Sequence, residues 1–311
     1  MSVRILSTSW LVGEALRELG NFFPELLVAP FRSPEWNAAL QSAEAIVVML
    51  SEPIKESDIQ AAPHLKAIGT YSVGVNHLPV SMCEARGIAI VNTPGVLTDS
   101  TADMALGLLL SVTRRIAEGD ALVRSGTWLG WTPDQLLGLS LAGKSCGILG
   151  SGPIGKAFAK RVWAAGMKPI FWDREGCGGF VDFGPGSAPR LALDDLLQRS
   201  AVLSLHCPLT DSTRGLLDRR ALLRLPRGAV VINTARGGII DESAAIEMLE
   251  SGHLGGIGLD VYADEPNVNP NWSSAPRTVL LPHLGSATVE TRTAMSGLLC
   301  EGIAKALRLF E

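Results

Sequence analysis

Cys146-Gly-Ile-Leu-Gly150-Ser-Gly152-Pro153-Ile154-Gly155-Lys-Ala-Phe-Ala-Lys-Arg161 decides how the chain is built. A short apolar run leads into Gly150-x-Gly152-x-x-Gly155. Ile154, Phe158, Val162 and Ala165 then recur at helical spacing. The order is strand, tight turn, helix. Glycines in such a turn let the backbone approach a pyrophosphate, and the amides and positive dipole end of the helix bind it. Taken alone, the hexapeptide is only a glycine turn. A second apolar run, Pro169-Ile-Phe-Trp172, ends in Asp173, 18 residues beyond Gly155. That is close to the ~20 residues expected for an acid on the adenosine ribose. Turn, helix and acid together predict a dinucleotide site.

Length and charge bound the rest. At 311 residues the chain accommodates two domains, each with its own core. A formal charge of −4 without a basic run argues against nucleic acid or an anionic membrane as partner. Apolar stretches such as Met104–Leu110 are too short to span a bilayer. Arg4, Glu14, Arg17 and Glu18 do not read as a secretory signal. Five cysteines (83, 146, 177, 207, 300) show no metal-type pairing, so reduced thiols, a cytoplasmic location and no metal are expected.

Over residues 1–98, apolar runs at Val3–Leu6, Leu26–Val28, Ile46–Leu50, Leu65–Ile68 and Ile88–Val91 alternate with helical segments such as Glu14–Leu19 and Trp36–Ala43. This alternation predicts a parallel sheet with helices on both faces. Two strand ends run into polar or glycine-rich turns, Leu50-Ser51-Glu52-Pro53 and Tyr71-Ser72-Val73-Gly74-Val75-Asn76. Ligands of open α/β sheets sit beyond the carboxyl ends of strands, so Leu50, Ser51, Ser72, Val73 and Gly74 are candidate substrate residues.

Asn92-Thr-Pro-Gly95 breaks the chain, and Thr98-Asp-Ser-Thr101 can cap a long helix. The segment Ser125–Pro133, with Trp128 and Trp131, reads as a connector whose tryptophans are expected to pack on the protein's own helices, the alternative being that they cover a subunit interface or the mouth of a pocket. Six strands are expected from residue 145 onward, at Cys146–Leu149, Ile170–Trp172, Ala201–Leu205, Ala229–Ile232, Gly256–Leu259 and Val279–Leu281. Pro169, unable to donate to a ladder, belongs at the start of its strand. The later strands end in turns carrying His206-Cys207-Pro208, Thr234-Ala235-Arg236, Asp260 to Glu265, and His283. A last helix over 291–309 returns to the first domain. The expected fold class is α/β, with two doubly wound parallel-sheet domains. A Rossmann dinucleotide-binding domain, 99–285, is inserted into a flavodoxin-like substrate domain formed by 1–98 and 286–311.

A nicotinamide cofactor exchanges a hydride, and the alkoxide left on a carbonyl needs a proton. Imidazole moves protons both ways near neutral pH. A carboxylate on its other nitrogen fixes the tautomer and favours the imidazolium. A 2-oxo acid also carries a carboxylate, for which an arginine fork is the planar partner. Arg236, Glu265 and His283 offer these roles. His206 also follows a strand, and spacing does not choose between the two histidines.

The stretches Gly150–Gly155, Asn233-Thr-Ala-Arg-Gly-Gly238, Gly258-Leu-Asp-Val-Tyr-Ala-Asp-Glu-Pro266 and Leu281-Pro-His-Leu-Gly-Ser286 resemble the D-isomer-specific 2-hydroxyacid dehydrogenases. Trp128–Gly138 and Pro282–Thr288 look most like the glyoxylate/hydroxypyruvate reductase branch. The resemblance implies that Arg236 binds the 2-oxo acid, Glu265 pairs with the histidine and His283 is the acid/base. It places Asp173 and Arg174 at the adenosine end, His206, Cys207, Pro208 and Thr213 along the cofactor, and Thr234, Ala235 and Asp260 around the nicotinamide. It gives the amides of Val73 and Gly74 the substrate carboxylate, and implies a homodimer through the nucleotide domain. Asn76 and Asp103 depart from the family's usual aspartate and glutamate, which bears on substrate choice. Asp173 opposes a 2′-phosphate, so NAD(H) is favoured over NADP(H), which some members of the branch use. The expected activity is reduction of glyoxylate and hydroxypyruvate. The rivals are the same chemistry on lactate, phosphoglycerate or a bulkier acid, and an NAD-sensing protein without catalysis.

Overall fold

Strands that are apolar on both faces need helices on both faces, and the two parallel sheets of this chain are covered in that way. The computed structural model describes residues 4–23, 25–174, 176 and 178–307. Val3 in the first expected strand, Cys177, and residues 308 and 309 of the expected last helix lie outside the described residues. The chain divides into two units, Met1–Leu97 with Ser286–Glu311, and Thr98–Gly285.

The first unit runs β1 (Ile5–Ser7), α1 (Ala15–Phe22), β2 (Leu26–Val28), α2 (Pro34–Leu40), β3 (Ala45–Val48), α3 (Glu56–Gln60), β4 (Ala67–Thr70), α4 (Val80–Ala85) and β5 (Ala89–Val91). The strands pair in parallel in the order β2-β1-β3-β4-β5, the flavodoxin-like arrangement. Leu6, Ile46, Val48 and Ile68 point into a core with Trp36, Leu40 and Ile59, while Ile5, Ala45, Val47 and Ala67 are buried on the other face. Strand β4 starts later than its apolar run suggests, because Leu65 enters the core from the preceding turn. Helix α2 begins with Pro34 and is capped by Ser33, whose Oγ accepts the Trp36 amide at 3.1 Å.

The second unit runs α5 (Thr98–Thr113), α6 (Ile116–Arg124), β6 (Ser145–Leu149), α7 (Pro153–Ala164), β7 (Lys168–Trp172), β8 (Phe180–Asp182), β9 (Ser187–Pro189), α8 (Leu193–Arg199), β10 (Val202–Leu205), α9 (Arg219–Arg224), β11 (Ala229–Asn233), α10 (Glu242–Glu250), β12 (Leu254–Leu259) and β13 (Thr278–Leu280). Six strands pair in parallel in the order β13-β12-β11-β10-β6-β7. Cys146, Ile148, Val202, Val230 and Ile232 join one core with Leu108 of α5 and Phe158 of α7. The alternate residues Leu149, Leu203, Leu205, Val231 and Ile257 join the opposite core with residues of α8, α9 and α10. The chain then returns to the first unit in α11 (Val289–Ala306), capped by Thr288. Gly69 of β4 lets this helix approach, since a β-carbon there would lie 2.8 Å from Leu299 Cδ1.

Three features differ from expectation. Helix α5 starts at Thr98, so the expected capping residues form its first turn. Beyond the six expected strands, Arg190 makes a single parallel bridge to Phe171, next to the unexpected β8–β9 hairpin. Glycines at 178, 179 and 184 with positive φ turn the chain into that hairpin. Finally, Trp128 and Trp131 do not pack on the chain's own helices: they are 51% and 79% exposed, and Leu129 between them is fully exposed. The glycine- and proline-bearing segment around them forms no helix or strand whose apolar face could be buried. Pro169, in contrast, sits near the start of edge strand β7, where its missing donor is tolerated.

Trp36 is fully buried and meets Phe31 edge-on at 5.2 Å. Trp36→Ala is expected to destabilise the first unit by about 3–5 kcal/mol, read as a lowered urea midpoint followed by circular dichroism.

Candidate active site

The glycine turn lies between β6 and α7. Gly150 has φ +108°, and a β-carbon on it would come within 2.8 Å of the His206 and Cys207 backbone. A β-carbon on Gly155 would lie 2.0 Å from the Gly150 carbonyl oxygen. These two glycines are demanded by the protein's own packing. At Gly152 the same β-carbon would meet nothing within 4 Å. Nothing among the described residues therefore requires glycine at this position. Helices α9, α10 and α11 are capped by Asp218, Asp241 and Thr288, whereas Gly152 leaves α7 without a side-chain cap. Pro153 opens the helix and Ile154 and Gly155 complete its first turn.

Asp173 follows β7, its side chain largely buried, and accepts a hydrogen bond from Ser151 Oγ inside the glycine turn. Arg190 Nε lies 3.0 Å from Asp173 Oδ2. Arg174 beside it is exposed. Neither Ser151 nor Arg190 is signalled by the glycine motif. Arg190 reaches this place through the bridge to Phe171.

Beyond β10, His206 rests on the Phe158 ring at 4.9 Å between centroids, and its Nε2 lies 2.8 Å from Ser204 Oγ. Burial pushes this imidazole down to about 3. It is therefore neutral at neutral pH. Cys207 is buried, and burial pushes its thiol up to about 11. Thr213 is fully buried and closes the loop on itself, its Oγ1 donating to the Pro208 carbonyl (2.6 Å) and accepting the Thr210 amide (2.8 Å).

The turn after β11 is organised by Asn233, which is completely buried. Its Nδ2 donates to the Arg236 carbonyl at 2.9 Å and its Oδ1 accepts the Ala235 amide at 3.0 Å. Thr234 is 8% exposed, and its Oγ1 has no hydrogen-bond partner among the described residues. A buried hydroxyl without a partner is costly, so a ligand atom there is a fitting complement. Gly237 has no room for a side chain, because a β-carbon would lie 1.9 Å from the Tyr262 carbonyl carbon. That close approach brings Arg236 beside the turn that carries Glu265. Burial draws the Arg236 guanidinium down from its usual value, and the Glu265 charge opposes this.

Glu265 Oε1 accepts the Tyr262 amide at 2.9 Å, and Oε2 lies 2.7 Å from His283 Nδ1. Burial alone would raise this carboxyl. The His283 hydrogen bond and charge, the Tyr262 amide and the Arg236 charge hold it below its usual range. His283 has φ +55°, in the left-handed region. Its turn is held by Asp260, whose Oδ1 accepts the Leu284 amide at 2.6 Å and Oδ2 the Gly285 amide at 2.7 Å. Burial raises the Asp260 carboxyl, opposed by those amides and by His283. Expected to surround the nicotinamide, Asp260 has its carboxylate committed to the backbone that presents His283. Among the described residues, the second unit thus brings Arg236, Glu265 and His283 together and sets His206 apart, with no carboxylate on its ring.

In the first unit, the Leu50–Ser51 turn is fixed by Glu52, which accepts the Met49 amide (2.7 Å) and the Thr8 hydroxyl (2.5 Å). Ser72 Oγ bonds Thr70 Oγ1 and donates to the Gly74 carbonyl, and Thr70 Oγ1 lies 2.8 Å from His77 Nε2. Asn92 Nδ2 holds the Val73 carbonyl at 2.8 Å. The loop 72–74 is thereby fixed from three sides, with Val73 at the surface.

Residues 106–285 match the sequence model described as D-isomer specific 2-hydroxyacid dehydrogenase, NAD binding domain. The chain belongs to the D-isomer-specific 2-hydroxyacid dehydrogenases. It is 36% identical to a glyoxylate reductase of Thermococcus litoralis, over 97% of this chain and 93% of that one. It superposes with a TM-score of 0.88 on the crystal structure of a glyoxylate reductase from Paecilomyes thermophila, at 32% identity, covering 100% of this chain and 97% of the other. The NADPH-dependent glyoxylate/hydroxypyruvate reductase of Sinorhizobium meliloti, solved with citrate, matches at 31% identity and TM-score 0.81, over 96% and 92%. The dehydrogenase fold is thus two doubly wound parallel sheets, the nucleotide-binding one being an insertion within the other's sequence.

Glu265 gives this dehydrogenase a pH signature. Its carboxyl lies below the ordinary 4.5 in the folded chain, so its stabilisation is complete above that value and is lost as pH falls through the folded pKa. The difference in unfolding free energy between wild type and Glu265→Gln is expected to shrink as pH falls below about 4.5, as followed by urea titrations at acid pH.

Proposed function

We propose that the chain reduces small 2-oxo acids, glyoxylate and hydroxypyruvate, to their 2-hydroxy acids with a reduced nicotinamide dinucleotide. The observation that carries this reading is the 2.7 Å contact of His283 Nδ1 with Glu265 Oε2, beside a half-buried Arg236. In this proposal 99–285 is the cofactor domain, and 1–98 with 286–311 the substrate domain. The glycine turn and the α7 amides hold the pyrophosphate, Asp173 the ribose, and the orphaned Thr234 hydroxyl lies toward the nicotinamide. When bound, the nicotinamide supplies the hydride that becomes the C2 hydrogen of the product.

The chain's residues do the rest. Arg236 takes the carboxylate and oxo oxygen in its fork, drawing electron density from C2. With Nδ1 on Glu265, His283 carries its transferable proton on Nε2 and gives it to the oxygen as the carbonyl becomes an alcohol. Glu265 stabilises the imidazolium before that transfer and keeps the ring oriented. His206, neutral and bonded to Ser204, has neither feature. In the first unit, the Val73 and Gly74 amides of loop 72–74 are proposed as donors to a carboxylate.

An acid at the end of β7 favours NADH. Trp128, Leu129, Trp131 and Leu137, with Ile116 and Val123, are exposed apolar side chains of the nucleotide unit, and in this proposal a second copy of the chain covers them. A homodimer in the cytoplasm is the proposed state. Among the described residues no helix is long and apolar enough to cross a membrane.

The test is oxidation of NADH by the purified chain, followed by absorbance with glyoxylate, hydroxypyruvate, pyruvate and bulkier 2-oxo acids. Turnover is expected to be highest with the two smallest polar acids. A preference for a bulkier acid, or NADH binding without turnover, defeats the proposal. His283→Ala is expected to lower kcat by about 10²–10⁴-fold while NADH affinity by calorimetry changes little. An equal loss from His206→Ala with His283→Ala still active would reverse the assignment. Trp131→Glu is expected to shift sedimentation from dimer to monomer.

A further inference from the structure

We infer that His77 is a positioning residue for the substrate, its imidazole heading a one-way chain of hydrogen bonds that shapes the loop 72–74. The inference rests on the reading that this loop takes the carboxylate of a 2-oxo acid. The chain runs from His77 Nε2 to Thr70 Oγ1 (2.8 Å), on to Ser72 Oγ (2.9 Å), and ends at the Gly74 carbonyl (2.6 Å). Counting hydrogens gives its direction. A carbonyl only accepts, so Ser72 directs its single hydroxyl hydrogen to Gly74. Ser72 then accepts from Thr70, and Thr70, its own hydrogen committed, accepts from the ring. His77 therefore carries a hydrogen on Nε2. Thr70 and Ser72 are buried, so a donor lost from the head of the chain is not replaced from solvent.

This chain completes a pattern in which three successive loop carbonyls are held from within the first unit. The Thr93 amide donates to the Ser72 carbonyl at 3.0 Å, and Asn92 Nδ2 to the Val73 carbonyl at 2.8 Å. Ser72 Oγ holds the third, that of Gly74. In a trans peptide the N–H points opposite to the C=O of the same unit. Holding the Ser72 and Val73 carbonyls from the two residues that follow β5 turns the Val73 and Gly74 amides away from that side. Successive amides turned the same way suit an anion. The hold on Gly74 is the one His77 governs. Without its donor the chain can reverse, Ser72 donating back to Thr70 and the Gly74 carbonyl being released. The His77 backbone is anchored separately, because its carbonyl accepts the Ile54 amide at 3.0 Å. A changed side chain at 77 thus alters the relay while the backbone stays tied.

Steady-state kinetics with NADH and glyoxylate on wild type, His77→Leu, His77→Gln and Thr70→Val tests this. His77→Leu is expected to raise the KM for glyoxylate about tenfold while kcat falls less than about threefold. Its calorimetric affinity for NADH is expected to stay within about twofold of wild type. His77→Gln, whose amide nitrogen replaces the Nε2 donor, is expected to recover a KM within about threefold of wild type. Thr70→Val breaks the same chain one step later, so its effect is expected not to add to that of His77→Leu in the double variant. Thermal melting identifies any variant that fails to fold, and Thr70→Val then stands in for His77→Leu. An unchanged KM in His77→Leu, or the same loss in His77→Gln as in His77→Leu, overturns the inference. Glyoxylate turnover with an unchanged KM in Val73→Pro, which deletes one loop amide, overturns instead the reading on which it rests.

Discussion

Parallel pairing is the constraint from which the site follows. When every strand of a sheet runs the same way, every strand-to-helix turn emerges at one edge, however far apart the turns lie in sequence. In the second unit that edge collects the glycine turn after β6, Asp173 after β7, the His206 loop after β10, Arg236 after β11, Glu265 after β12 and His283 after β13. Nothing in the local sequence of Arg236 refers to His283. Strand direction brings them to one edge, and the close contact allowed by Gly237 does the remaining work.

Much of this is legible in the sequence, because the physics involved is short-range. A glycine required by a tight turn, apolar runs of strand length and an acid at a fixed distance beyond the turn leave marks within a few residues of one another. The alternation that buries Val230 and Ile232 on one face and Val231 on the other appears in sequence only as an unbroken apolar run. That run still predicts a sheet covered on both sides.

The rest depended on contacts that sequence order hides. His206 and His283 follow strands in the same manner, and only the Glu265 carboxylate on one ring and the Ser204 hydroxyl on the other separate them. Asn233 reads as the end of an apolar strand, yet it ties the Arg236 turn together by two hydrogen bonds. An asparagine closing a run of β-branched residues was a usable signal, since its side chain must find partners once buried. Asp260 sits in a recognisable motif, but its service to the Leu284 and Gly285 amides is a tertiary fact. The tryptophans of the 125–140 segment misled because large apolar side chains are ordinarily interior, and composition does not tell whether the covering surface belongs to the same chain.

His283 occupies a left-handed backbone conformation, one that a glycine or asparagine adopts with less strain. The strain for a side-chain-bearing residue there is on the order of 1 kcal/mol, tolerated because Asp260 grips the two following amides. Evolution acting on durability alone would therefore drift away from histidine at this position. If the proposed proton transfer is the reason for a histidine here, a protein of this fold without turnover would be free to carry glycine or asparagine at the same place.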